Sequence, residues 1–200
     1  YTMAGLEELA PPLGHGLEIR GVEADFAYES LAAGLTKPAA GFGYVRFEGC
    51  FARLGEYVIS AVRVYKHCIE QHLQDHPDGG PFDLDLFGFS AGSMLAWLLL
   101  CMMPSTADHF RLRTLTLLSP RLEGMYDCWE DDHLKAILKM HGTEVFLGYG
   151  KLENLPEQGS AFSRAAKKIV DLLPSSGPPL RERAHEGGHT MPSDQLQDVK

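Results

Sequence analysis

Two hundred residues, 44% apolar and 22% charged, suffice for one soluble domain, 1–200, with a full core. A net charge of −9 without any Lys/Arg cluster argues against nucleic acid or an anionic membrane as partner, because both need concentrated positive charge. The longest apolar run, Met94 to Met103, falls short of the roughly 18 to 20 residues that span a bilayer, and no charged-then-apolar leader opens the chain, so the expected location is the cytoplasm.

The chain begins at Tyr1 instead of Met, the expectation being a processed product or a fragment. Met3 to Leu9 reads as the end of a helix broken by Pro11-Pro12, and Leu17 to Val22 as a short strand. Ala24 to Gly43 is rich in Gly, Ala and Pro without sustained periodicity and is expected to be a long loop walling a cleft. From Phe51 to Leu73 the apolar residues Leu54, Val58, Ala61, Tyr65, Cys68 and Ile69 recur at helical spacing and should form one buried face. His72 and His76 lie four apart, but Pro77 ends the helix there and no carboxylate stands at a fixed spacing, so a metal site is not expected. Cys50, Cys68, Cys101 and Cys128 are widely spaced with no Cys-x-x-Cys and read as buried thiols. Asp75 to Pro81 is a polar turn.

The next stretch organises the rest. An apolar run, Leu84 to Phe87, feeds Gly88-Phe89-Ser90-Ala91-Gly92 and then a nearly unbroken apolar helix pattern. Gly-x-Ser-x-Gly between strand and helix is the pattern of a nucleophile elbow, in which the serine sits at the apex of a tight, strained turn. Gly88 and Gly92 should let strand and helix approach, and the Ala91 amide at the helix start is a candidate donor to a developing oxyanion. The plainer alternative is a Gly/Ser turn between two buried elements.

Pro104 to His109 is a loop and Leu112 to Leu118 another strand, closed by Ser119-Pro120. A polar excursion, Arg121 to Met140, holds a short helix from about Asp131. Glu144 to Gly148 is the next strand, Ala161 to Leu173 the next helix, and Leu180 to Ala184 a last strand. Strand and helix alternate, which predicts an α/β fold, a mostly parallel sheet with helices on both faces. Glu153 follows one strand and His189, after Gly187-Gly188, follows the last, each past the strand's carboxyl end. Serine, acid, histidine is the chain order of the α/β-hydrolase triad. Alternatives stay open for the acid, since Glu157 and Asp171 stand nearby and Lys151 could pair with any of the three; the plainer, less favoured reading of His189 is a solvated loop histidine.

These segments resemble the small fungal and animal serine hydrolases of the "family of serine hydrolases" group, which includes stand-alone thioesterases that release products from fungal polyketide synthases. The likeness rests on Gly80-Pro81-Phe82-Asp83 leading into Gly88-Phe89-Ser90-Ala91-Gly92, and on Gly187-Gly188-His189 followed by Pro192. It implies an α/β-hydrolase fold with Ser90 as nucleophile, His189 as base and Glu153 as acid, where the family usually has Asp. It also implies a small acyl ester or thioester as substrate, an acyl-carrier protein or polyketide synthase as partner, and neither metal nor organic cofactor. The family's first strand ends in a His-Gly motif that supplies a second oxyanion donor, and Gly14-His15-Gly16 precedes a strand instead of following one. On that reading about 25 to 30 residues are missing ahead of Tyr1, and the elbow strand should lack a neighbour on one side. The competing reading is a hydrolase-fold binding module without catalysis.

Overall fold

The computed structural model describes residues 26–30, 39–43, 47–48, 51–52, 54–103, 109–120, 142–151 and 180–188. Contacts within the chain divide it into two compact units, Tyr1–Pro77 with Lys200, and Asp78–Val199.

In the first unit, β1 (Phe26–Ser30) and β2 (Ala39–Gly43) pair antiparallel, with Phe26 opposite Gly43 and Ser30 opposite Ala39. This overturns the long loop expected from Ala24 to Gly43. The second strand is almost wholly Ala and Gly, residues depleted in strands, so its conformation comes from pairing and not from propensity. The short β3 (Phe47–Glu48) and β4 (Phe51–Ala52) also pair antiparallel. Because Phe51 belongs to β4, the helix starts later than expected: α1 (Leu54–Val64) runs into a π-helical segment (Tyr65–Glu70) and then α2 (Gln71–Asp75). The segments expected at Met3 to Leu9 and Leu17 to Val22 lie outside the described residues.

The buried stripe of this helix is also rotated from the expected one. Tyr57 and Ala61 are fully buried, with Glu56 and Ser60 beside them, whereas Val58 is 37% exposed. Successive helical residues lie about 100° apart, so seating the large Tyr57 ring at the centre of the stripe carries Val58 to its edge. Ile59 and Val62 face outward with it. At the far end the His76 N–H bonds the His72 carbonyl at 3.0 Å, and the two imidazole rings stack with centroids 4.4 Å apart. Among the described residues no group of three or more His, Cys, Asp or Glu side chains is arranged to hold a metal ion. Cys68 and Cys101 are reduced thiols; Cys101 is buried as expected, but Cys68 is only half-buried. Cys50 and Cys128 lie outside the described residues.

The second unit is a parallel sheet. Its strands β5 (Phe82–Phe89), β6 (Phe110–Leu118), β7 (Glu144–Gly150) and β8 (Leu180–His185) stand in the order β5-β6-β7-β8, and α3 (Ala91–Met102) connects the first two. Each neighbouring pair is parallel, with Phe89 beside Leu118, Leu118 beside Gly148, and Gly150 beside His185. Inner parallel strands are buried on both faces, and this holds for β7 from Val145 to Gly148 and for β6 from Leu115 onward; the first half of β6 alternates, with Phe110 and Leu112 buried and Arg111 and Arg113 exposed. The helix is buried from Ser93 through Cys101, which its unbroken apolar sequence requires. The helices expected at Asp131 to Met140 and Ala161 to Leu173 lie outside the described residues. Among those described, no strand pairs with the outer edge of β5. A bulge between Leu84 and Asp85 lets the Asp85 carboxylate accept from the guanidinium of Arg113 and, at 2.7 Å, from Thr114 Oγ1. That hydrogen bond, with the Asp85 charge, pushes the Arg113 pKa up.

No helix among the described residues is long and apolar enough to cross a membrane.

Candidate active site

All four strands run the same way, so the residues just past them collect at one edge of the sheet: Ser90 after β5, Ser119 after β6, Lys151 after β7 and Glu186 after β8. Clefts of open parallel sheets form at this edge.

Ser90 holds the sharpest turn there. Its backbone sits at φ 54° and ψ −118°, a conformation that L-residues avoid at a cost of about 1–3 kcal/mol, and α3 begins at the next residue. Four hydrogen bonds hold the turn in place. The Ser90 N–H donates to the Leu118 carbonyl at 2.9 Å, and the Ser90 carbonyl accepts the Ser93 N–H at 3.0 Å. Ser93 Oγ lies 2.9 Å from both the Gly88 and the Leu118 carbonyl oxygens, sharing its proton between them. The carbonyl that ends β6 therefore accepts from both the apex and the first turn of the helix, tying the elbow to the neighbouring strand.

The two glycines of the motif do different things. A Cβ on Gly88 would lie 2.6 Å from Ser93 Cα and would overlap the Gly92 carbonyl, so strand and helix meet backbone to backbone. A Cβ on Gly92 would meet nothing within 4 Å, so the close approach expected at both glycines exists only at Gly88. Gly92 contributes its carbonyl to the contact, and its own Cβ direction is open.

The Ser90 hydroxyl does not cap α3. Amides in the first turn of a helix have no acceptor within it and carry its positive dipole end, so the Ala91 N–H is a ready donor beside the serine.

Farther along the edge, the buried Ser119 also takes a positive φ, 46°, and its N–H donates to the Gly148 carbonyl at 2.7 Å. Beyond β8 the chain turns back on itself. The Gly187 N–H donates to His185 Nδ1 at 3.1 Å, and the Gly187 and Gly188 carbonyls lie where a Cβ of Gly150 would stand. Lys151 forms an ion pair with Glu186, a partner not among the carboxylates expected for it. Tyr149 donates its hydroxyl to Glu182 Oε1 at 2.8 Å; that bond and burial raise the tyrosine's pKa.

Of the residues that stand out in the sequence, Ser90 and the Ala91 backbone stand together at the elbow. Glu153 and His189 lie outside the described residues, Glu153 three residues past the end of β7 and His189 four past the end of β8. Sequence reasoning misses Ser93 and Gly150. Ser93 carries a signal, being a lone serine opening an otherwise apolar helix run; Gly150 carries none, because its role depends on a turn distant in sequence.

Among solved structures, the crystal structure of the Bacillus cereus carboxylesterase matches with a TM-score of 0.53 and 14% sequence identity, over 77% of this chain and 63% of that one. The shared property at this identity is the fold, which is that of an α/β-hydrolase, and this chain spans less than two thirds of the carboxylesterase's length. No protein-family profile matches the sequence, and no curated protein matches it.

Proposed function

We propose that the chain is a serine hydrolase that cleaves an acyl ester or thioester through an acyl-enzyme on Ser90. The observation that carries this reading is the backbone of Ser90, a strained serine at the carboxyl edge of a parallel sheet, seated on the first turn of a buried helix. Ser119 also takes a positive φ, so the weight falls on the combination at Ser90: φ 54° with ψ −118°, directly before α3, with its N–H bonded to the neighbouring strand.

In the proposed reaction His189 takes the proton of Ser90 Oγ as the oxygen attacks the acyl carbonyl, and the Ala91 N–H stabilises the oxyanion. His189 then protonates the departing thiol or alcohol, and water, activated by the same ring, releases the acid. Glu153 orients the imidazole. Neither step calls for a metal or an organic cofactor.

Chain reach supports His189 as the base. Strands lie about 4.8 Å apart, so β8 is roughly 14 Å from β5, but the turn after His185 brings Gly188 back over β7, roughly 10 Å from the nucleophile's strand. One further residue and an imidazole cover most of that gap. The likeness to polyketide-releasing thioesterases extends the proposal to a polyketide or fatty acyl product taken from a carrier protein.

A fluorophosphonate probe tests the reading. Labelling of the intact chain on Ser90, absent in Ser90→Ala, together with hydrolysis of p-nitrophenyl esters or acyl thioesters, is the expected result. A folded chain that neither labels nor hydrolyses either substrate class would be a binding module instead.

A further inference from the structure

We propose that Ser119, the residue directly past β6, is a positioning residue that holds the Ser90 backbone in place through the peptide bond between Leu118 and Ser119; the proposal rests on the hydrolase reading. Ser119 is only 1% exposed, and it takes φ 46° although Pro120 follows it. A residue before proline is pressed toward extended backbone, and a non-glycine residue at positive φ is disfavoured on its own account, so two steric preferences are overridden at one position. Strain of this kind persists only where the surroundings impose it, and it gathers at functional sites.

What is imposed here is the tilt of one peptide plane. Its carbonyl, that of Leu118, accepts the Ser90 N–H and Ser93 Oγ on the β5 side, both at 2.9 Å. Its N–H, that of Ser119, donates to the Gly148 carbonyl on the β7 side at 2.7 Å. The two groups are opposite ends of one rigid unit, so neither bond turns without the other. Two torsions set the tilt: ψ of Leu118, which lies within the strand, and φ of Ser119, which lies past it. Pro120 and Gly148 are buried, so the chain on the far side is held as well. Moving Ser119 to the extended φ that its sequence favours would swing the Leu118 carbonyl away from Ser90 or break the bond to Gly148.

The two strained serines of this edge thus form one device. Ser90 carries the nucleophile, and the backbone of Ser119, not its hydroxyl, keeps the acceptor of the Ser90 N–H in line.

Two substitutions divide backbone from hydroxyl. Glycine removes the hydroxyl and enters positive φ freely; threonine keeps the hydroxyl and, being β-branched, resists positive φ. Ser119→Gly should keep kcat and the rate of fluorophosphonate labelling within about 3-fold of the parent, whereas Ser119→Thr should lose about 10-fold or more in both, with KM little changed. Hydrogen exchange of the Ser90 amide should quicken about 10-fold in Ser119→Thr relative to the buried Leu98 amide of α3, which reports opening of the whole unit. A Thr variant that matches the parent, a Gly variant as slow as the Thr one, or Ser90 and Leu98 amides quickening equally would overturn the proposal. Should Ser119→Thr fail to fold, Ser119→Gly in a Ser93→Ala background decides: with the second donor to Leu118 gone, freeing the torsion should cost about 10-fold in labelling, and a cost under 3-fold there, as in the parent, overturns it. Should the parent chain neither label nor hydrolyse esters and thioesters, the hydrolase reading fails, and the Ser90 amide decides this one: faster exchange in Ser119→Thr but not in Ser119→Gly supports it, and no difference between the two overturns it.

Discussion

Gly88 faces Ser93 with no room for a methyl group between them, a Cβ there falling 2.6 Å from Ser93 Cα. Strand and helix of the elbow cannot part without lifting Ser90 off the β6 carbonyl that holds it. Gly88→Ala should therefore cost about 1–3 kcal/mol or more, the usual range for overpacking, and abolish probe labelling at Ser90. Gly92→Ala should do the reverse. With open space around its Cβ and a helical backbone, it should hold stability or gain up to about 1 kcal/mol and keep labelling. Thermal melts of the two variants check this, and comparable losses in both would mean that the close contact at Gly88 is misassigned.

Ser93 offers a finer perturbation. Its fully buried hydroxyl bridges the Gly88 and Leu118 carbonyls, both at 2.9 Å. Ser93→Ala should cost about 1–2 kcal/mol, the value of a buried hydrogen bond and its deserted acceptors, and slow labelling of Ser90 by loosening the turn. A variant as stable and as reactive as the parent would show that the backbone bonds of Ser90 suffice.

Much of this architecture is legible in the sequence. The elbow helix, β7 and the second half of β6 announce themselves as apolar runs, because an inner parallel strand is buried on both faces, whereas β5 alternates and β8 is charged and largely exposed. The hairpin of β1 and β2 is not legible, since Ala39 to Gly43 owes its extended form to its partner strand. Val58 reads as inward-facing because periodicity alone cannot say which of two adjacent apolar stripes is buried; the bulk of Tyr57 decides it. At the site, Ser90 is legible because its turn requires small neighbours at fixed spacing. The clasp of Gly150 on Gly187 and Gly188 is not, being a contact between backbones that carry no side-chain signature.

Tyr149 links β7 to β8 through Glu182, and this bond predicts a pH dependence. The hydrogen bond to Glu182, then burial, then the Glu182 charge raise the phenol's pKa above its ordinary value of about 10. A raised folded-state pKa means that the phenol's contribution is fully present below the unfolded value and is lost as pH rises through the folded one. The difference in melting temperature between the parent and Tyr149→Phe should thus be constant from about pH 7 to 9 and shrink above about pH 10. Tyr65, whose pKa is also raised, is present in both proteins and cancels. A difference that does not change with pH would show that the Tyr149–Glu182 bond contributes nothing to folding.

Strain at the nucleophile gives the last prediction. Ser90 occupies φ 54° and ψ −118°, a region glycine enters freely and alanine does not. Ser90→Ala keeps the strain and should match the parent's stability to within about 0.5 kcal/mol. Ser90→Gly relieves about 1–3 kcal/mol of it, offset by roughly 0.5–1 kcal/mol for the freer unfolded chain. The glycine variant should therefore melt above both the parent and the alanine variant, by about 2–4 °C for each kcal/mol gained. Neither variant should react with the fluorophosphonate probe. Stability rising while reactivity disappears is what a strained nucleophile requires, and a glycine variant that melts below the alanine one would show that the turn is held without strain.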